Sequence, residues 1–171
     1  PDSETFLREW TSLVESKSGE RGIFNRISAQ KQAAKNGRRN PDYEFGTNPC
    51  SEIILRPHQF CNLTEVVVKE HDTDDDLDRK VRLATILGTA QSTLTDFPYL
   101  RKVWKNNTQE ERLLGVSLTG IMDNIHTNCF LVNMRERLTR MKQIAIDTNK
   151  KYAKRFGIEE STAITCVKPS G

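Results

Sequence analysis

Gly46-Thr47-Asn48-Pro49-Cys50-Ser51-Glu52-Ile53-Ile54-Leu55, followed by Phe60-Cys61-Asn62-Leu63, decides how this chain is read. A thiol stands between an amide and a carboxylate at alternate positions, and a second thiol follows eleven residues later. Alternate side chains of an extended segment share a face, so the spacing predicts that Asn48, Cys50 and Glu52 point the same way. A hydrogen-bonding amide, a sulfur able to carry one unpaired electron and a proton acceptor would then meet one small substrate. The competing reading is a loop with a proline, a structural cysteine and a solvated glutamate, the commoner fate of an isolated Cys.

Outward from this stretch the pattern is mixed α/β. Ser3 is a candidate N-cap for a helix whose Phe6, Trp10, Leu13 and Val14 recur at helical spacing. Ser28 to Lys35 reads as a short helix ending at Gly37. Ile53 to Leu55 and Phe60 to Val68 read as strands around a Pro57-His58 turn, the second apolar on both alternations, as for burial on two faces. Asp74 to Leu100 reads as one long helix with Leu77, Val81, Ala84, Leu87, Gln91 and Leu94 on a stripe, Asp74, Asp75 and Asp76 at its positive end, and Pro98 ending it. Thr108-Gln109-Glu110-Glu111 resembles a capping box opening a helix from Glu110 to about Asn124. Met134, Leu138, Met141, Ala145, Thr148 and Tyr152 mark another helix, closed by Gly157. Ala163 to Val167 reads as a buried strand and Lys168-Pro169-Ser170-Gly171 as the turn leaving it. Strand, helical excursion and strand make a parallel α/β unit, too short for a closed barrel of about 250 residues.

Composition narrows the function classes. The chain has 171 residues, 36% of them apolar, a formal charge of +3 and a mean hydropathy of -0.63. It holds no apolar run of about 18 residues that could span a membrane, and Pro1 to Trp10 lacks the apolar core of a secretory signal. Four cysteines (50, 61, 129 and 166) without such a signal read as reduced thiols of a cytoplasmic protein. They form no Cys-x-x-Cys pair, and the three histidines supply no zinc pattern, so no metal site is expected. Lys17 to Arg39 carries seven Lys and Arg against Glu20 alone. A solvated face ranks first for this run and a phosphate contact second. Nucleic-acid binding ranks third, since Phe24 is the only aromatic available for stacking.

Asn48-Pro49-Cys50-Ser51-Glu52-Ile53 with Cys61-Asn62-Leu63 closely resembles the active-site region of ribonucleotide reductases. Ser18-Gly19-Glu20-Arg21-Gly22-Ile23-Phe24-Asn25-Arg26 is similar to the same family, as is Ala163-Ile164-Thr165-Cys166-Val167-Lys168-Pro169-Ser170-Gly171. The Asn-Pro-Cys form and Arg112-Leu113-Leu114-Gly115-Val116-Ser117-Leu118-Thr119-Gly120-Ile121-Met122-Asp123 are most similar to the adenosylcobalamin-dependent, class II branch. The separate strings run from about Asp2 to Gly171.

The resemblance implies a fragment of a ten-stranded α/β barrel with the radical cysteine on a central loop. It implies a radical loop at about 46–56, a helical excursion at about 74–156, and a strand with a phosphate loop at about 162–171. By position, Cys50 becomes the thiyl site, Asn48 and Glu52 its substrate-binding and acid–base neighbours, and Cys61 half of the reducing pair, its partner lying upstream of this segment. Pro169, Ser170 and Gly171 become substrate-binding residues. The implied cofactor is adenosylcobalamin, the substrate a ribonucleoside triphosphate, and the partners the remaining reductase segments and a thiol reductant such as thioredoxin, with neither membrane nor nucleic acid involved. The chain is thus expected to be one piece of a longer enzyme and inactive alone, whether from a split gene, an intein-flanked segment or trimming. Two alternatives stay open: a non-catalytic assembly fragment, and a nucleic-acid module built on Lys17 to Arg39.

Overall fold

The computed structural model describes residues 2–19, 22–35, 37–124 and 133–169. Its centre is a parallel pair, β3 (Asn62–Val67) and β4 (Leu114–Thr119), in register from Asn62 opposite Leu114 to Val67 opposite Thr119. A third segment joins the far side of β4 at a parallel bridge between Val116 and Thr165, where the Val116 N–H donates to Ile164 O and the Cys166 N–H to Val116 O. Ahead of the sheet lie α1 (Ser3–Ser16), α2 (Arg26–Ala34) and an antiparallel hairpin of β1 (Gly46–Thr47) with β2 (Ile54–Leu55). Between β3 and β4 come α3 (Asp74–Gln91) and α4 (Lys102–Glu111), and a 3-10 turn (Ile121–Asp123) precedes α5 (Met134–Phe156).

Both long crossovers place a helix on the same face of the sheet. Val66 and Val68 of the β3 region, Leu114 and Val116 of β4, and Ile164 pack against Leu77, Val81 and Ala84 of α3 and Met141 and Ala145 of α5. Each Å² of apolar surface buried in this interface stabilises the fold by about 25 cal/mol. α3 begins on a capping box in which the Thr73 hydroxyl accepts from the Asp76 N–H while the Asp76 carboxylate accepts from the Thr73 N–H. α5 ends at Gly157, whose φ of 67° is the left-handed conformation glycine tolerates.

Several boundaries differ from the sequence reading. The long helix stops at Gln91 rather than near Pro98, because Ser92 and Thr93 turn their hydroxyls back onto Thr89 O and Ala90 O. Its stripe fails beyond Ala84: Thr85, Gly88 and Thr89 are buried while Leu87 and Leu94 are exposed. The helix expected from Glu110 to about Asn124 is a strand over Leu114–Thr119. Thr108 closes α4 instead of opening a helix, Arg112 takes a left-handed φ of 43°, and the apolar run that follows is β4. The helical excursion at about 74–156 is accordingly split by a strand. β3 is buried on one face only, with Leu63 and Val67 open on the other. The N-caps are Asp2 and Asn25, and the second helix starts at Arg26 rather than Ser28.

Candidate active site

The hairpin presents the motif. β1 and β2 are joined by Asn48 to Ile53, a tight loop rather than an extended segment. The Asn48 N–H donates to Ile53 O at 3.3 Å, its amide oxygen accepts from the Ile53 N–H at 3.1 Å, and the Ser51 N–H donates to Asn48 O at 3.0 Å. Ser51 sits at φ 63°, which breaks the alternation on which a shared face depends. The expectation of an extended segment, with side chains alternating between two faces, is therefore corrected to a tight turn. Asn48 is half-buried and ties the loop, Cys50 stands exposed in the turn, and Glu52 is half-buried. The Glu52 Oε2 atom is buried and has no hydrogen-bond partner.

The base of the hairpin is clamped to α4. Arg39 donates from Nε and Nη2 to the two oxygens of Glu111, both at 2.8 Å, and from Nη1 to Ile54 O at 2.8 Å. Both side chains of this pair are only 4% exposed. Gln59 completes the cluster, donating to Glu111 Oε2 and to Asn107 O while its own oxygen accepts from the Arg56 N–H. The Arg39 guanidinium also lies 4.6 Å from the centre of the Phe45 ring. Within the basic run, then, Arg39 is a buried clamp rather than part of a solvated face, and Arg26 pairs with Glu44.

The loop's far end presses onto the open face of the sheet. A Cβ on Gly115 would lie 2.5 Å from the Leu63 side chain, 2.9 Å from Ile53 Cδ1 and 3.2 Å from Cys166 Sγ. Glycine at the second position of β4 thus lets Ile53 settle over the strands. There Glu52 and Cys61 share one electrostatic neighbourhood. Burial pushes the Cys61 thiol up, Glu52 adds to the rise, and Lys168 opposes it. Burial likewise raises Cys166 to about 11, with Lys168 opposing and Glu52, Cys61 and Glu65 adding. The Ser117 hydroxyl donates to Glu65 at 3.2 Å, and the Lys168 ammonium lies 3.9 Å from the same carboxylate oxygen.

Of the residues picked from sequence, Glu52 lies within electrostatic reach of Cys61, Asn48 positions the loop, and Pro169 is exposed at the end of the third segment. Ser170, Gly171 and Cys129 lie outside the described residues. Glu65, Ser117, Gly115 and Lys168 were passed over. Reading 114–119 as helix hid the alternation that sets Gly115 and Ser117 beside Leu63 and Glu65.

Comparison with known proteins follows the same lines. No family model matches the chain. It is 27% identical over 192 residues to the adenosylcobalamin-dependent ribonucleoside-triphosphate reductase of Lacticaseibacillus paracasei, covering 94% of this chain and 25% of that protein. The reductase of the same name from Euglena gracilis is 29% identical over 161 residues, covering 90% of this chain and 21% of the relative. A crystal structure of a B12-dependent class II ribonucleotide reductase superposes with a TM-score of 0.57 at 25% identity, covering 74% of this chain and 21% of that one.

The chain resembles a segment of class II ribonucleotide reductase. It spans at most a quarter of the length of these relatives. The α/β architecture agrees with that neighbour, and the described residues form one parallel sheet with one helical layer rather than a closed barrel. Among the described residues no helix is long and apolar enough to cross a membrane.

Proposed function

We propose that this chain carries the radical loop of an adenosylcobalamin-dependent ribonucleotide reductase, completes its ten-stranded barrel with further segments, and acts there on ribonucleoside triphosphates. The observation that carries this reading is Glu52 Oε2, a buried carboxylate oxygen without a hydrogen-bond partner, within electrostatic reach of the half-buried Cys61 thiol. A stranded buried acceptor costs about 1–3 kcal/mol, a cost that a substrate hydroxyl would relieve. Exposed Cys50 fits the cofactor, since a bulky group can reach its sulfur. Bound adenosylcobalamin would supply homolytic chemistry, the one-electron step the protein's own groups lack.

The side chains then divide the work. The Cys50 sulfur, as a thiyl radical, takes the ribose 3′ hydrogen as an atom: an S–H bond forms, the C–H bond breaks, and the odd electron stays on the sugar carbon. Glu52 accepts the 3′-hydroxyl proton across about 2.6–3.2 Å as charge develops. Asn48 spends its amide oxygen on the loop, and its NH2 group is the part that can hold a ribose hydroxyl. The 2′-hydroxyl leaves as water with a proton from the thiol pair. Cys61 and a thiol outside this chain become a disulfide, their two electrons and second proton making the new 2′ C–H bond, and Cys50 returns the hydrogen atom to the 3′ carbon. Pro169, with Ser170 and Gly171 beyond it, would hold the substrate phosphates, and a thioredoxin-like dithiol would reset the disulfide.

The test uses the assembled enzyme. Cys50→Ser should abolish deoxynucleotide formation, because an alkoxyl radical is far harder to make than a thiyl. Cys61→Ser should block sustained reduction yet leave cofactor 5′-hydrogen exchange with solvent. Turnover by Cys50→Ser, or loss of exchange in a folded Cys61→Ser protein, would overturn the assignment. A second reading, a segment that only completes the barrel, draws on the uncovered face of the β3–β4 sheet. Cys50→Ser would then leave turnover intact after mixing with the complementary segments.

A further inference from the structure

We propose that the groove between α3 and α5, across the sheet from the hairpin loop, binds a small phosphate monoester carrying a free hydroxyl. Arg82 and Lys151 hold the phosphate, and Asp147 accepts the hydroxyl. The site is independent of the roles assigned to Cys50, Glu52 and Cys61.

α3 and α5 pack side by side on one face of the sheet through Leu77, Val81, Ala84, Met141 and Ala145. Between them lies a cavity of about 250 Å³, lined by Arg82 of α3 and by Ile144, Asp147, Thr148, Lys151 and Tyr152 of α5. A helix ordinarily neutralises a cation with a carboxylate one turn away. Here both such carboxylates are engaged elsewhere. Asp78, four residues before Arg82, accepts from Arg140 Nε at 3.2 Å. Asp147, four residues before Lys151, accepts from Gln143 Nε2 at 2.9 Å. Among the described residues no ion pair or side-chain hydrogen bond engages Arg82 or Lys151. Two cations from different helices therefore share one cavity with a single carboxylate.

Thr148 is the independent observation. Only 6% of it is exposed, and that remainder lines the cavity. The buried Thr85 and Thr89 of α3 turn their hydroxyls back onto Val81 O and Thr85 O, both at 2.7 Å. Among the described residues nothing bonds the Thr148 hydroxyl. A buried hydroxyl left without a partner is costly, and an oxyanion in the cavity would accept from it. The half-buried Tyr152 brings a second O–H donor to the same wall.

The donor set fixes the ligand class. Arg82 offers a fork of N–H groups that matches two phosphate oxygens, and Lys151 adds a point charge. The Asp147 carboxylate opposes a bare phosphate dianion but accepts from a ligand hydroxyl, and Ile144 gives a short carbon skeleton an apolar wall. The volume lies below the range of about 300–1,000 Å³ usual for drug-sized ligands, so the ligand is small.

The experiment reads lysine acetylation by an N-hydroxysuccinimide ester on the full chain, by mass spectrometry, with the exposed Lys150 outside the cavity as internal reference. Glycerol 3-phosphate at millimolar concentration should slow Lys151 acetylation several-fold and leave Lys150 unchanged. Inorganic phosphate should protect Lys151 less, and sodium chloride at the same ionic strength should protect neither lysine. Arg82→Gln, at an exposed position, and Thr148→Val, which removes the hydroxyl and keeps the shape, should each weaken the protection while the helical circular dichroism stays at the parent's level. Unprotected Lys151, equal protection of Lys150, inorganic phosphate as effective as glycerol 3-phosphate, or undiminished protection in folded Arg82→Gln would each overturn the proposal.

Discussion

Gly115 and Ile53 meet so closely that a methyl group on the glycine would lie 2.9 Å from Ile53 Cδ1. The contact seats the end of the hairpin on the sheet, with Glu52 next to it in sequence and within electrostatic reach of Cys61.

Gly115→Ala should therefore both destabilise the fold and disturb the site. The added carbon meets Leu63 at 2.5 Å as well, and overpacking of this kind costs about 1–3 kcal/mol. Chemical denaturation should show the loss as a lower midpoint with an unchanged slope. Cys61 alkylation should quicken as Glu52 and the covering loop lift away. Parent-like stability and labelling together would mean the loop is seated by something else.

Arg39→Ala should be the most damaging single truncation away from the core. It removes the bidentate partner of Glu111 and the donor to Ile54 O, leaving a carboxylate only 4% exposed. Breaking a buried pair from one side costs about 3–5 kcal/mol. Replacing both members, as in Arg39→Met with Glu111→Leu, should recover much of that loss, because no charge is then stranded. A double variant no better than Arg39→Ala would assign the cost to lost packing on Phe45.

These two positions show what the sequence made legible. Helical periodicity announced α5 correctly, since Met141, Ala145 and Thr148 are buried where the spacing put them. The motif itself pointed to Glu52 and Cys61. The shape of the loop was not legible, because Ser51 at positive φ and the Asn48–Ile53 hydrogen bonds depend on how the hairpin closes. β4 was missed because a strand buried on both faces shows a continuous apolar run that period alone cannot tell from a buried helix. Arg39 hid in a basic run, since charge patterning carries no information about a partner 72 residues away.

The thiols should separate by accessibility and by pH. Cys50 is exposed, whereas Cys61 and Cys166 are half-buried and raised, Cys166 to about 11 from 9.0. Among these three, Cys50 should alkylate first at neutral pH, and Cys166 should label appreciably only toward pH 11. The sign for stability follows from the folded state holding the thiol protons more tightly than the unfolded chain does. Cys166 thus costs nothing below about pH 9 and weakens the fold progressively from there to about pH 11. Cys166→Val should flatten this alkaline loss in thermal melts. An unchanged alkaline slope in that variant would remove Cys166 as its cause.

The last expectation concerns the chain by itself. Phe6, Leu7, Trp10 and Val14 on α1, with Ile23 and Ile27 beside them, are between 44% and 64% exposed, and no residue of α1 is buried. β3 pairs with β4 along one edge and with no other described strand along the other, and its outward face shows Leu63 and Val67. Apolar surface on this scale marks a contact area or an aggregation liability, and an unpaired strand edge adds to it. Purified alone, the chain should self-associate with rising concentration by light scattering and form no deoxynucleotide with adenosylcobalamin, a nucleoside triphosphate and a dithiol. Trp10→Glu combined with Ile27→Lys should reduce the association while leaving the helical circular dichroism intact, since neither side chain supports the core. A monomeric parent chain would refute the exposed-surface argument, and turnover by that monomer would refute its dependence on further segments as well.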